Sequence, residues 1–137
     1  PYGSDQQSRV TVPFITAELC GASRPGFFGG IATAVTKYFN LIQPDVTIFG
    51  QKDYQQCLVI KKLIRDFNFP IEFIMSPTVR EADGLALSSR NQYLSSEERQ
   101  LAPELYRSLK GIVEQLKQGH TEKNFQQHAQ ALCQEVR

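Results

Sequence analysis

The sequence predicts an α/β fold built on a parallel sheet, and three observations predict it. Val46-Thr47-Ile48-Phe49 and Ile71-Glu72-Phe73-Ile74-Met75 are short, rich in β-branched and aromatic residues, and bounded by Gly50 and Pro70. Between them a helical pattern runs from about Asp53 to Phe67, with Cys57, Ile60, Ile64 and Phe67 along one face. Strand, helix and strand within about thirty residues form a βαβ unit, whose strands are parallel and joined by a right-handed crossover.

The elements follow in order. Pro1 to Gly30 is rich in Gly, Pro and Ser, with one apolar stretch from Val12 to Leu19, and reads as a long connection. Ile31, Ala34, Val35, Tyr38, Phe39 and Ile42 have the spacing of an amphipathic helix, which Gln43-Pro44-Asp45 ends because proline disfavours helical geometry in the residue before it. Asn68-Phe69-Pro70 closes the second helix, and Ser76 to Tyr93 is irregular. Ser95-Ser96-Glu97-Glu98 is a capping box, Ser95 reaching the amide of Glu98 and Glu98 reaching back. The helix it opens carries Leu101, Leu105, Leu109, Ile112, Val113 and Leu116 inward as far as Gln118-Gly119-His120. Thr121 opens a last helix with Phe125, Ala129, Leu132 and Val136 inward. The domain boundary is expected near residues 91–96, giving units 1–92 and 93–137. Pro1-Tyr2-Gly3 and Arg137 lack the capping and turn residues of natural boundaries, so the chain is expected to be a piece of a longer protein.

Composition narrows the function. The chain has 137 residues, 41% hydrophobic and 21% charged, enough to bury roughly 68% of the unfolded surface in a core. Fifteen basic and fourteen acidic residues leave a net charge of +1, with no basic stripe for nucleic acid. No apolar run approaches the ~20 residues of a membrane span. Cys20, Cys57 and Cys133 have neither metal nor disulfide spacing and read as reduced thiols of a cytosolic protein. His120 and His128 both lie in the appended helices; His128 reads as a packed or half-exposed residue rather than a ligand. There is no zinc set, Walker A sequence or G-x-S-x-G elbow.

Two stretches can carry chemistry. Gly50-Gln51-Lys52-Asp53-Tyr54-Gln55-Gln56 occupies the strand-to-helix corner at the carboxyl end of the first strand, where open parallel sheets bind ligands. Gly50 permits a sharp turn and close approach. The helix N-terminus and Lys52 favour an anion, phosphate or carboxylate. Gln56 adds an uncharged donor and acceptor, and Asp53 is equally an N-cap residue. After the second strand, Leu87-Ser88-Ser89-Arg90-Asn91 offers two hydroxyls and a guanidinium suited to phosphate oxygens, or a Ser-rich turn capped by arginine. Following adjacent parallel strands, the two stretches are expected to face one crevice. Gly26-Phe27-Phe28-Gly29-Gly30 is not a dinucleotide fingerprint, and its glycines serve a tight turn or a third contact.

Gly50 to Gln56, Pro77-Thr-Val-Arg-Glu-Ala-Asp-Gly-Leu-Ala-Leu-Ser-Ser-Arg-Asn91 and Arg24-Pro25-Gly26, in this order, closely resemble the pantothenate synthetase (pantoate–β-alanine ligase) family from Tyr2 through Leu94. The resemblance implies a Rossmann-like nucleotidyltransferase sheet, present in part, followed by the helical start of a smaller C-terminal domain in a cytoplasmic homodimer. It implies that pantoate attacks the α-phosphate of ATP, accompanied by Mg²⁺, to give pantoyl adenylate and pyrophosphate. The amine of β-alanine then displaces AMP. By position, Gly50, Gln51, Lys52 and Asp53 would form one nucleotide-binding stretch and Leu87, Ser88, Ser89 and Arg90 the other. Val79 would touch the nucleotide through its backbone and Gln56 would bind pantoate. Lys52, Ser88, Ser89 and Arg90 would act in catalysis.

Two features depart from the family. Its H-x-G-H-type signature, which holds the triphosphate and supplies a catalytic histidine, is absent, so the 137 residues alone are expected to be weak or inactive. Phe27 stands where relatives often have His. A different nucleotidyltransferase of the same superfamily, and a nucleotide-binding module without turnover, remain open alternatives.

Overall fold

The computed structural model describes residues 5–118. Pro1-Tyr2-Gly3, Cys133, both histidines and the helix expected from Thr121 lie outside the described residues. The chain divides into two units, residues 1–78 and 79–137.

In the first unit, helices α1 (Cys20–Ser23) and α2 (Phe27–Ile42) precede strand β1 (Val46–Gly50), helix α3 (Tyr54–Asp66) and strand β2 (Glu72–Ser76). The strands are parallel, in register from Val46 opposite Glu72 to Gly50 opposite Ser76. β2 thus runs one residue later than expected, because Ile71 N–H bonds the Phe69 carbonyl at 2.8 Å instead of joining the ladder. Helix α2 begins four residues earlier than the apolar spacing suggests. Gly26 takes φ 81° at its N-cap and Phe28 is buried, so Gly29 and Gly30 lie inside the helix rather than in a turn. The short α1 was not legible in the sequence. The end of α2 is as expected: Gln43 is left-handed, its N–H on the Phe39 carbonyl at 2.9 Å.

Helix α3 starts after a single 3-10 turn, Gln51–Asp53. Cys57, Ile60 and Ile64 are buried as expected and Phe67 is exposed; Val59 and Leu63 complete the inward face. A Schellman motif ends α3: the Phe69 N–H bonds the Ile64 carbonyl, the Asn68 N–H bonds the Arg65 carbonyl, and Asn68 supplies the positive φ of 53°. Phe39, Ile60, Leu63 and Ile64 form the main core, joined by Phe49, Phe69 and Phe73. Phe28, Ala32 and Val59 form a second cluster, onto which Val10, Val12 and Ile15 pack. One face of the sheet meets this core, while Val46, Ile48 and Ile74 on the other are exposed.

In the second unit, the capping box at Ser95 has both bonds, Glu98 N to Ser95 Oγ at 3.2 Å and Ser95 N to Glu98 Oε2 at 2.7 Å. The single long helix expected after it is two, α4 (Ser96–Leu101) and α5 (Glu104–Lys117). Pro103 lacks the N–H that would continue α4, and starts α5 instead. The apolar stripe expected inward along both helices is not buried: Leu101, Leu105, Leu109, Val113 and Leu116 are exposed and Ile112 is half-buried.

The boundary between units falls after Thr78, upstream of the 91–96 region read from the sequence. The reason is that Arg99 of α4 and Tyr106 of α5 hold residues 79–91, which are also bonded among themselves. Arg99 bonds Glu81 and Asp83, each at 2.6 Å, and Asn91 Nδ2 donates to Glu81 and to the Ala86 carbonyl, each at 3.1 Å. The Arg80 guanidinium lies 3.7 Å from the Tyr106 ring centroid and donates to the Gly84 carbonyl. Gly84, at φ 99°, has no room for a side chain, since a Cβ would stand 2.5 Å from Tyr106.

This network makes a pH prediction. The bond from Arg99 holds the Asp83 carboxyl below its usual range, and the Ser95 N–H does the same for Glu98. Groups with lowered folded values stabilise the fold above the ordinary carboxylate pKa of ~4 and lose that contribution as pH falls through the folded value. Amide exchange of residues 79–93 is therefore expected to be flat between about pH 5 and 7 once corrected for intrinsic rates, and to accelerate below about pH 4. Arg99→Gln is expected to accelerate it at pH 7 and to differ less from the parent at low pH. An undiminished difference in acid would show that Arg99 acts otherwise.

Candidate functional site

β1 ends at Gly50, and the backbone there is extended, φ −76° and ψ 131°. A Cβ at Gly50 would meet nothing within 4 Å. Contrary to expectation, no sharp turn is made at this glycine: neither its conformation nor packing among the described residues requires it. What a side chain at Gly50 would obstruct is the open space outside the corner.

Gln51, Lys52 and Asp53 make the 3-10 turn, all exposed, and α3 begins one residue later with its N–H groups and positive dipole end at the same corner. Asp53 stands at the N-cap but its carboxylate accepts no cap bond, so the capping role is not taken up. Among the described residues the side chains of Lys52, Asp53 and Gln56 form no hydrogen bond or ion pair. The two side chains between and beyond them are committed. Gln55 bonds three backbone groups of residues 15–20, and the Cys57 thiol donates to the Gly50 carbonyl at 3.2 Å. Burial, then the Asp53 charge, pushes the Cys57 thiol up, keeping it a protonated donor. The corner thus has a fixed frame and uncommitted groups of both charges.

The Leu87–Asn91 stretch belongs to the second unit. Leu87 N–H bonds the Val79 carbonyl at 2.9 Å, next to an isolated antiparallel bridge between Arg80 and Ala86. That bond occupies the Val79 carbonyl, while the Val79 and Leu87 side chains are exposed. Ser88 caps a short 3-10 turn, Ser89–Tyr93, its Oγ accepting the Arg90 N–H at 3.2 Å. Ser89 and Arg90 are exposed and their side chains make no bond among the described residues.

The Arg24 guanidinium sits 4.0 Å from the centroid of Phe27, whose ring meets Phe28 edge-to-face at 5.2 Å. Phe27 therefore serves as a platform for Arg24. A groove of about 490 Å³ beside Gly26, Gly29 and Gly30 is lined also by Arg9, Thr11 and Thr33, none of them singled out from the sequence. Gln55 and Arg99, which hold the two stretches, were missed as well; their partners are distant in the chain, so no local pattern marks them. No group of three His, Cys, Asp or Glu able to hold a metal occurs among the described residues, and no helix there is long and apolar enough to cross a membrane.

Two parallel strands joined by a helix, with an open corner at their carboxyl ends, define an α/β protein of the parallel-sheet class. The chain belongs to the pantoate-beta-alanine ligase family, whose model matches residues 2–137. It is 60% identical over 119 residues to the pantothenate synthetase of Ectopseudomonas mendocina (strain ymp), covering 87% of this chain and 42% of that one. The crystal structure of the pantothenate synthetase from Thermus thermophilus is similar, with a TM-score of 0.92 and 46% identity over 98% of this chain and 49% of that one. So is the pantoate-beta-alanine ligase of Francisella tularensis, determined in complex with beta-gamma ATP and beta-alanine: TM-score 0.70, 39% identity, 76% of this chain and 40% of that one. The α/β fold class, with the Rossmann-like nucleotidyltransferase sheet, is that of these structures. The chain spans about half the length of the relatives it matches.

Proposed function

We propose that this chain supplies part of the ATP and pantoate site of an ATP-dependent ligase that joins pantoate to β-alanine through a pantoyl adenylate. The observation carrying this reading is the Gly50–Gln56 corner, where Lys52, Asp53 and Gln56 are uncommitted and the fold does not need the glycine. Gly50–Asp53 and Leu87–Arg90 are each proposed as nucleotide-binding stretches, with Val79 touching the nucleotide and Gln56 hydrogen-bonding pantoate.

In the first step a pantoate carboxylate oxygen bonds the α-phosphorus as its bond to the bridging oxygen breaks, and pyrophosphate leaves with the electron pair. Lys52 and the α3 N-terminus offset charge growing on the transferring and leaving phosphates. Ser88, Ser89 and Arg90 supply hydroxyl donors and a planar guanidinium fork to phosphate oxygens. In the second step the β-alanine amine attacks the acyl carbon, loses a proton and expels AMP. Mg²⁺ prefers a few carboxylates with phosphates and water to an all-protein cage, which suits a corner offering the single carboxylate of Asp53. The complete enzyme is proposed to be a cytoplasmic homodimer, and the 137 residues alone to be weak or inactive, since the H-x-G-H-type segment is not among them.

The test is pantoate-dependent release of pyrophosphate from ATP by the complete enzyme carrying this sequence, with Gly50→Ala as the informative variant. Release requiring pantoate is expected, and Gly50→Ala is expected to leave the unfolding temperature unchanged or slightly raised while weakening ATP binding. Release that depends on another acid would favour a different nucleotidyltransferase, and ATP binding without any release a binding module. Unaltered ATP affinity in Gly50→Ala would remove this corner from the nucleotide site.

A further inference from the structure

Gln55 is the residue of the Gly50–Gln56 stretch whose side-chain amide is wholly committed. Its Nε2 donates to the Ile15 carbonyl at 2.9 Å and the Glu18 carbonyl at 2.8 Å, and its Oε1 accepts the Cys20 N–H at 3.1 Å. Both N–H donors and the carbonyl are thereby used, on backbone groups 35–40 residues earlier in the chain.

The segment so held has little order of its own to rely on. It contains no strand, and its one helical turn, α1, begins only at Cys20. Leu19 sits at φ 50° and ψ −127°, a conformation that costs a residue with a side chain. Gly21 is pressed so close to Thr16 that a Cβ would stand 2.0 Å from the Thr16 carbonyl oxygen. Among the described residues, Ile15 is the one apolar side chain of the segment that packs on the core cluster, with Val10 and Val12 just before it. Gln55 is what fastens residues 15–20 to the first turn of α3.

The two glutamines divide the work, because consecutive helical residues point about 100° apart. Gln55 is spent on the protein; Gln56, half-buried beside it, is left with its amide uncommitted. Gly50, at the start of the proposed nucleotide stretch, has holds of its own. Gly50 is held by the ladder to Ser76 and by the Cys57 thiol.

Resting on the reading of the site given above, we propose that Gln55 is a positioning residue: by fastening residues 15–20 against the first turn of α3 it sets the placement of Gln56 for the acid substrate, without touching substrate itself. Displacing a positioning group by about 1 Å can cost ~10²-fold in rate, so a partial loosening is expected to cost roughly tenfold. The inference separates acid binding from nucleotide binding at neighbouring residues.

The test uses Gln55→Glu and Gln55→Met in the active enzyme. Glu keeps an acceptor for Cys20 N–H but sets a carboxylate against two carbonyls; Met keeps the length and removes all three bonds. Both are expected to raise KM for pantoate roughly tenfold while KM for ATP changes less than twofold. Amide exchange of residues 14–23 is expected to quicken. For Gln55→Glu the KM defect is expected to shrink at acid pH, where the protonated carboxyl regains one donor. If Gln55→Glu does not fold, Gln55→Met decides the same comparison. A lower unfolding temperature with both KM values unchanged would reduce Gln55 to a structural staple and overturn the inference alone. A parent enzyme with no pantoate-dependent pyrophosphate release would instead overturn the reading of the site, and this inference with it.

Discussion

Lys52→Ala in the complete enzyme is expected to lower kcat for pantoate-dependent pyrophosphate release by roughly 10²–10³-fold, the cost of removing one preorganised group from a developing oxyanion. The physical ground is that Lys52 is exposed, makes no ion pair among the described residues, and lies at the N-terminal end of α3. Its charge therefore does nothing for the described fold that a ligand would interrupt. The unfolding temperature is expected to stay within about 2 °C, as for surface substitutions away from caps and cores. Lys52→Arg keeps the charge but replaces a compact ammonium with a planar fork, so partial recovery is expected. The step matters for the readout. Release of pyrophosphate reports adenylation, whereas transfer from preformed pantoyl adenylate to β-alanine is expected to be less affected, because the triphosphate charge has by then departed. An unchanged rate of release would make Lys52 a solvated surface charge and move the phosphate site elsewhere.

Ile60→Ala is expected to be the most destabilising single change, by about 2–5 kcal/mol. Ile60 is fully buried in the cluster with Phe39, Leu63 and Ile64 that joins α2 and α3 to the inner face of the sheet. Truncation there loses the transfer energy of the removed carbons and leaves a cavity between layers too well packed to collapse fully. Against a total stability of ~5–15 kcal/mol, that is a large fraction. Ile48→Ala is the control: the same chemistry on the outward face of β1, where the residue is 65% exposed, is expected to cost under about 1 kcal/mol. Chemical denaturation of both variants of the chain checks the contrast. Equal losses would mean that the outward sheet face is covered in solution.

Much of the fold was legible because it is written in short-range terms. The βαβ unit follows from two β-branched runs and a helical period between them, and the parallel register of Val46–Gly50 with Glu72–Ser76 agrees. The capping box at Ser95 was readable because its bonds run between residues three apart. Family membership rests on the motifs around Lys52 and Arg90 and is matched over residues 2–137. Two departures from the expected elements also have local causes. Pro103 divides the leucine-rich helix because it has no N–H to give, and Gly26 starts α2 because it alone of its neighbours takes a left-handed turn.

What the sequence by itself determined, then, is the order and type of the helices and strands from α2 to α4, and it singled out two stretches whose residue types suit a phosphate. Only the tertiary structure decided which of those residues are free to do so. Lys52, Asp53 and Gln56 are left uncommitted, while Gln55, identical in type to its neighbour, is bound to backbone 35–40 residues away. Arg99, to which no local pattern assigns a partner, is the anchor of Glu81 and Asp83. The reason is physical: periodicity and capping act over three or four residues. Whether a polar side chain is spent on the protein depends on backbone groups that folding brings to it from far along the chain.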